Sequence, residues 1–292
     1  MTIKQIVMAG GGYLGFYHLG ILSRLLNVGY LHRSTIHSIY GTSIGAFFGA
    51  VFCLNEDWKV TVDYFVERPW YKIFTVSPNI VFHALSKKGV YNKNTFDQLL
   101  LPLIKSRNYN ETMTLSDLHD ISKITLYMYT IDLNSFTLEE ISHKTHPDMP
   151  LLEALYMTCA LPFLFQPLIK NEKCYVDGGL LNTYPLQNCI DRLEDKTQMH
   201  EILGIRFNSE RKVKQITDDN NIFEYGYFLY RSLIQNIRPK EYPEIENEIV
   251  VPCVQINMED GSKAVQSREK REEYITSGQH IADRFLGTIS RL

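Results

Sequence analysis

The chain has 292 residues, 45% hydrophobic and 22% charged, with 30 Lys and Arg against 33 Asp and Glu. That hydrophobic share is ordinary for a chain that buries a core and excludes general disorder, while the length fits one large domain or one with an extension. A formal net charge of −3 argues against nucleic acid as a partner.

The first 55 residues read as β-α-β-α. Ile3–Ala9 is an apolar strand broken by Gly10-Gly11-Gly12, and Phe16–Leu26 places Leu19, Leu22, Leu25 and Leu26 at helical spacing. Ile36–Tyr40 is a second strand, turning at Gly41-Thr-Ser-Ile-Gly45 into an apolar helix. Strand and helix in alternation favour a parallel sheet. Trp58–Val66 reads as a helix, Arg68–Lys93 as an aromatic stretch interrupted by Pro69 and Pro78, and Thr95–Ile104 as one further helix. Ile124–Leu133 has the composition of a strand, with Thr137–Ile141 available to pair with it. Leu151–Thr158 is a helix that Pro162 stops. Cys174–Val176 is a strand ending at Asp177-Gly-Gly179. Farther on, Glu201–Phe207 and Ile249–Ile256 read as strands, Asn208–Asn221 as a polar loop, and Ile222–Asn236 and Arg268–Leu286 as amphipathic helices.

The five cysteines, Cys53, Cys159, Cys174, Cys189 and Cys253, form no C-x-x-C pair and read as free thiols. No metal-ligand spacing occurs, so no metal and no cofactor is expected. The opening residues run too soon into glycine for a signal peptide, and the longest apolar run, Ile44 to Leu54, falls short of the roughly 20 residues that span a bilayer. The expectation is an intracellular protein, soluble or peripherally bound to membrane, in which the Asn110-Glu-Thr112 sequon stays unmodified.

Three glycine-bearing turns carry the chemistry. Gly10-Gly-Gly-Tyr-Leu-Gly15 satisfies G-x-G-x-x-G between a strand and a helix, which is also a dinucleotide fingerprint. That reading requires an acid about 20 residues on, and none occurs before Glu56. Gly41-Thr-Ser43-Ile-Gly45 is G-x-S-x-G, the pattern of a nucleophilic serine on a tight strand-to-helix turn, where Gly41 and Gly45 leave room for crowding backbones. Tyr175-Val-Asp177-Gly178-Gly179 puts a carboxylate at a strand end. Ligands of open parallel sheets bind at the carboxyl ends of the strands. Read as one site there, Ser43 attacks, Asp177 takes its proton, and amides of Gly10, Gly11 and Gly12 receive the oxyanion.

The ordered set resembles the patatin-like phospholipase family, with its G-G-G-x-x-G, G-x-S-x-G and D-G-[GA] motifs. Thr158-Cys-Ala-Leu-Pro162 ahead of Phe163 and Phe165, and Leu180-Leu-Asn182 with Pro185 beyond, are similar as well. The resemblance spans residues 3–190, with 191–292 as a C-terminal α/β extension packed on the same domain. It implies a three-layer α/β fold with a mostly parallel central sheet flanked by helices. It also implies a cofactor-free lipid acyl hydrolase, phospholipase A- or lysophospholipase-like, working through a Ser43–Asp177 dyad and an acyl-enzyme. The chain departs at Leu14, where members often carry Arg or Lys. Without that charge a neutral ester stands beside a phospholipid as substrate.

Two other readings compete. A Ser-Asp-His triad of the α/β-hydrolase type would draw on His200 or His280, which follow Asp177. A lipid-binding module without turnover would keep the fold alone. Within residues 68–93, Trp70, Tyr71, Phe74, Phe82 and Tyr91 alternate with Arg68, Lys72, Lys87, Lys88 and Lys93, with no acid between Glu67 and Asp97. This stretch is either a peripheral membrane contact or a packed lid or core with solvated lysines. Arg268–Glu273 is a solvated helix face.

Overall fold

The computed structural model describes residues 2–54, 57–75, 84, 86–209, 216–220, 222–237, 241–253 and 258–289. The chain opens with β1 (Gln5–Met8), α1 (Gly15–Asn27), β2 (Ser38–Thr42), α2 (Ile44–Cys53) and α3 (Trp58–Glu67). There follow β3 (Gly89–Tyr91), α4 (Lys93–Asp97), α5 (Leu101–Ser106), α6 (Leu115–Ser122), β4 (Thr125–Asp132), β5 (Thr137–Ile141) and α7 (Leu151–Cys159). Then come β6 (Phe163–Phe165), β7 (Leu168–Lys170), β8 (Lys173–Asp177), α8 (Leu186–Ile190) and β9 (Ile202–Ser209). The chain closes with α9 (Ile222–Ile237), β10 (Asn247–Cys253), α10 (Met258–Gln266) and α11 (Arg268–Ile289).

The main sheet runs β10-β9-β1-β2-β4-β8-β7, with β5 also on β4; β3 and β6 pair separately. From β10 to β4 every neighbour is parallel, whereas β5, β7 and β8 join antiparallel. Alternation divides the core between the two faces. Ile6, Met8, Leu126 and Met128 belong to the large cluster with α1, α2 and α7. On the opposite face Val7, Tyr40, Tyr127 and Tyr129 meet α8, while Ile131 and Val176 meet Ile234 of α9. Three layers result.

On the thicker side, α1 lies backbone to backbone against α11. A Cβ on Gly20 would stand 2.1 Å from the Ile275 carbonyl, and one on Gly278 2.6 Å from that of Tyr17. Buried Arg271 of α11 donates to the carbonyls of Val66, Ala264 and Ser267. It thereby ties α11 to α3 and α10 through backbone carbonyls.

Several elements differ from what periodicity predicts. The expected helix over Thr95–Ile104 is two, α4 and α5, with Pro102 in the first turn of the second; proline has no N–H to continue the first and suits a helix start. α6 was missed, although Thr114 and Asp117 form a reciprocal capping box. The strand before Asp177 does not run parallel. β7 and β8 make a hairpin across Asn171 and Glu172, both at positive φ, as a two-residue turn of matching twist requires.

Within the 68–93 stretch, part of the aromatic set packs inward while Tyr71, Lys72, Lys87 and Lys88 are exposed. Trp70 and Tyr91 are buried, and the Trp70 indole N–H donates to the Phe65 carbonyl. Arg68 lies over Tyr64 and Trp70, and Lys93 pairs with Asp97. Phe82, most of the Asn208–Asn221 loop and the end of the Ile249–Ile256 strand lie outside the described residues.

Candidate active site

Ser43 ends β2 and starts α2 with φ 55 and ψ −126, a conformation that costs a non-glycine residue about 1–3 kcal/mol. Its neighbours explain how it is held. A Cβ on Gly45 would stand 2.2 Å from the Met8 carbonyl oxygen, and one on Gly41 2.5 Å from the Ala46 nitrogen. Only glycines permit this turn. Although Ser43 occupies the N-cap position of α2, its side chain makes no cap hydrogen bond, so the hydroxyl is left for other work. The positive end of the α2 dipole stands beside it.

Asp177 is buried at the end of β8, where its Oδ1 accepts the Gly179 N–H at 2.7 Å. Register brings it level with Ser43. Thr42 pairs with Tyr129 across β2 and β4, and Thr130 pairs with Asp177 across β4 and β8. Ser43 and Asp177 therefore flank the end of one intervening strand, about 10 Å apart by backbone, with their side chains able to close the gap. Buried Cys159, at the end of α7, is near enough to both for its thiol to respond to the Ser43 side chain and to the Asp177 charge. Burial first, and that charge second, push the thiol well above its ordinary pKa. It is a neutral S–H in the site. A Cβ on Gly178 would meet the Tyr129 carbonyl at 2.1 Å, so the Asp-Gly turn too is set by close approach to β4.

The glycine loop lies across the turn from them. Gly10 packs so that an added Cβ would reach the Ser43 Cβ at 3.2 Å. Its amide, however, donates to the Thr183 carbonyl at 2.8 Å, which removes Gly10 from the set of oxyanion donors and leaves it a packing role. No acceptor among the described residues takes the Gly11 or Gly12 N–H. Gly12 has φ +57 and open space where a side chain would stand. Gly15 packs against Ile44 and Phe48 of α2. Beneath the loop, fully buried His18 makes a 2.8 Å hydrogen bond from Nε2 to the Ala9 carbonyl. Desolvation lowers its pKa to about 4, against a smaller opposing effect of that bond, so the ring is neutral and donates.

Three residues near the site escaped the sequence reading: Thr158, Thr130 and Cys159. The only hint was the Thr158-Cys-Ala-Leu-Pro162 run, whose meaning depends on α7 ending beside Ser43. The two histidines weighed for a triad stand elsewhere. His200 is exposed just before β9, at the amino end of the parallel strands, and His280 is exposed on α11. Among the described residues no group of three His, Cys, Asp or Glu side chains could hold a metal, and no helix is long and apolar enough to cross a membrane.

A serine on a strained strand-to-helix turn, a buried carboxylate level with it and a glycine loop alongside meet at one end of a mostly parallel three-layer α/β fold. The sequence profile described as "Patatin-like phospholipase" matches residues 6–190. The chain belongs to this family and is a lipid hydrolase of that kind. It is 23% identical over 290 residues to "Uncharacterized protein R571" of Acanthamoeba polyphaga mimivirus, covering 94% of this chain and 90% of that protein. It is 22% identical over 191 residues to "Probable lipid hydrolase 463L" of Invertebrate iridescent virus 6, covering 64% of this chain and 63% of the other. Among solved structures, VipD from Legionella pneumophila superposes with a TM-score of 0.57 at 16% identity, over 99% of this chain and 67% of VipD. That likeness speaks for the fold.

Proposed function

We propose that the protein hydrolyses acyl esters of lipids through a Ser43–Asp177 dyad. The Ser43 Oγ bonds to the acyl carbon while its proton passes to the Asp177 carboxylate, and the oxyanion accepts N–H groups of Gly11 and Gly12. As the ester C–O bond breaks, the leaving alcohol takes the proton from Asp177. Water then attacks the acyl-enzyme, again giving its proton to Asp177, and Ser43 recovers a proton as the fatty acid departs.

A carboxylate with an ordinary pKa near 3.9 is a feeble base toward a hydroxyl in water. Preorganised donors aimed at the developing charge lower the barrier in a site shielded from water. The observation that carries this reading is the register that sets Ser43 and Asp177 on either side of β4, with the Ser43 side chain making no cap hydrogen bond. His200 and His280, the histidines weighed as bases, are exposed away from Ser43. Leu14 is buried and offers no charge to a phosphate, so neutral esters belong in the substrate panel.

Fatty-acid release from phospholipids, lysolipids and acylglycerols tests the reading beside Ser43→Ala and Asp177→Asn. Losses of about 10⁴-fold or more are expected for both. Equal release by wild type and Ser43→Ala would end it. Contact with the lipid surface falls to the outward-facing Tyr71, Lys72, Lys87 and Lys88; liposome flotation indifferent to salt would remove these lysines from that role.

A further inference from the structure

Two buried threonine hydroxyls cross the end of β4, where the halves of the site meet. Thr158, fully buried in the last turn of α7, accepts the Ser43 N–H at 3.0 Å and donates to the Tyr129 carbonyl at 2.5 Å. Thr130, the next residue on β4 and also fully buried, shares its proton between the carbonyls of Val176 at 2.8 Å and Met157 at 3.1 Å. Val176 immediately precedes Asp177, and Met157 immediately precedes Thr158. One hydroxyl thus holds the backbone of the nucleophile and the other holds the backbone leading to the base. One is anchored on Tyr129 and the other belongs to Thr130, consecutive residues of β4.

The Ser43 amide needs such a partner. At φ 55 and ψ −126 the residue lies outside the helix it precedes, and its part-buried N–H is satisfied by an acceptor within the protein. The acceptor is one oxygen whose own proton is committed to Tyr129 and whose rotamer is stiffened by β-branching. Its lone pair therefore fixes the direction of the Ser43 N–H and, through the Cα, that of the side chain. The same bond occupies the Ser43 amide, which leaves oxyanion binding to the glycine loop.

We propose that Thr158, backed by Thr130, is a positioning residue that sets the Ser43 hydroxyl against Asp177. The proposal rests on Ser43 being the nucleophile. Thr158→Val keeps the shape and deletes the acceptor; Thr158→Ser keeps the acceptor and deletes the methyl. Thermal unfolding, the rate of fluorophosphonate labelling, and kcat and KM for fatty-acid release are measured for each. The Val variant should lose about 10- to 100-fold in labelling rate and kcat, as expected for a displaced reacting group, with KM within about twofold. The Ser variant should stay within about threefold of wild type. Thr130→Val should lose less, and the double variant should lose less than the product of the two single losses, because both act on one arrangement.

If the Val variant fails to fold, Thr158→Ala, which cannot overpack, replaces it with the same expectation. A folded Val or Ala variant that labels at the wild-type rate overturns the proposal. So does a Ser variant as slow as Val, which would make the methyl and not the hydroxyl the working part. Wild-type protein that neither labels nor releases fatty acid overturns the Ser43 reading and this one with it. An active wild type with an unaffected Val variant overturns this one alone.

Discussion

Replacing Gly45 by alanine probes the strained turn without touching any reacting group. The added methyl would stand 2.2 Å from the Met8 carbonyl oxygen, 2.8 Å from its carbon and 2.9 Å from the Ala9 oxygen. All three are backbone atoms of the chain entering the glycine loop, so no side chain can swing aside. Real Cβ contacts essentially never fall below 3.0 Å, and α2 must therefore retreat from β1 by about 1 Å, a displacement that can cost a reaction about 100-fold. Overpacking of this kind also destabilises by about 1–3 kcal/mol, or roughly 2–10 °C in melting temperature for a domain of this class. Scanning calorimetry and fluorophosphonate labelling of the folded fraction measure the two effects. Gly287→Ala is the control: it lies in α11 with nothing within 4 Å of the new methyl and should leave labelling untouched while holding or raising the melting temperature. Wild-type labelling and melting in Gly45→Ala would refute the argument that close approach of β1 and α2 builds the site.

The pKa of His18 lies near 4 in the folded protein, because burial disfavours the charged ring, against 6.5 when unfolded. Below pH 6.5 the unfolded chain binds a proton that the native ring refuses, so stability present above that pH is lost progressively down to about pH 4, by about 3 kcal/mol. His18→Gln should flatten the melting-temperature profile over that window, and an unchanged slope would assign the loss to other groups. His200→Ala and His280→Ala should retain ester hydrolysis within about twofold, since both side chains are exposed away from Ser43. Loss of turnover in either folded variant would restore the triad with a histidine base.

What the amino-acid sequence determined by itself was the family and the glycine-bearing turns on which the proposed reacting groups sit. Gly10–Gly12, Gly41, Gly45 and Gly178 are spaced as tight turns after strands, and wherever backbone meets backbone below the reach of a Cβ only glycine serves, so the requirement is written locally. Helix α1 and strands β1, β2 and β4 were legible for a similar reason, since their apolar periods are short-range. The direction of β8 was not. An apolar run before Asp177 reads the same whether it enters the sheet parallel or folds back as a hairpin, and pairing with β4 decides between them. Nor could the sequence assign the Gly10 amide to Thr183, bury Trp70 and Tyr91, or place Thr158 beneath Ser43. Each of these depends on chain segments far apart in sequence meeting in space. Buried polar groups take whatever partner the packed layers bring within reach, and only the assembled core specifies that partner.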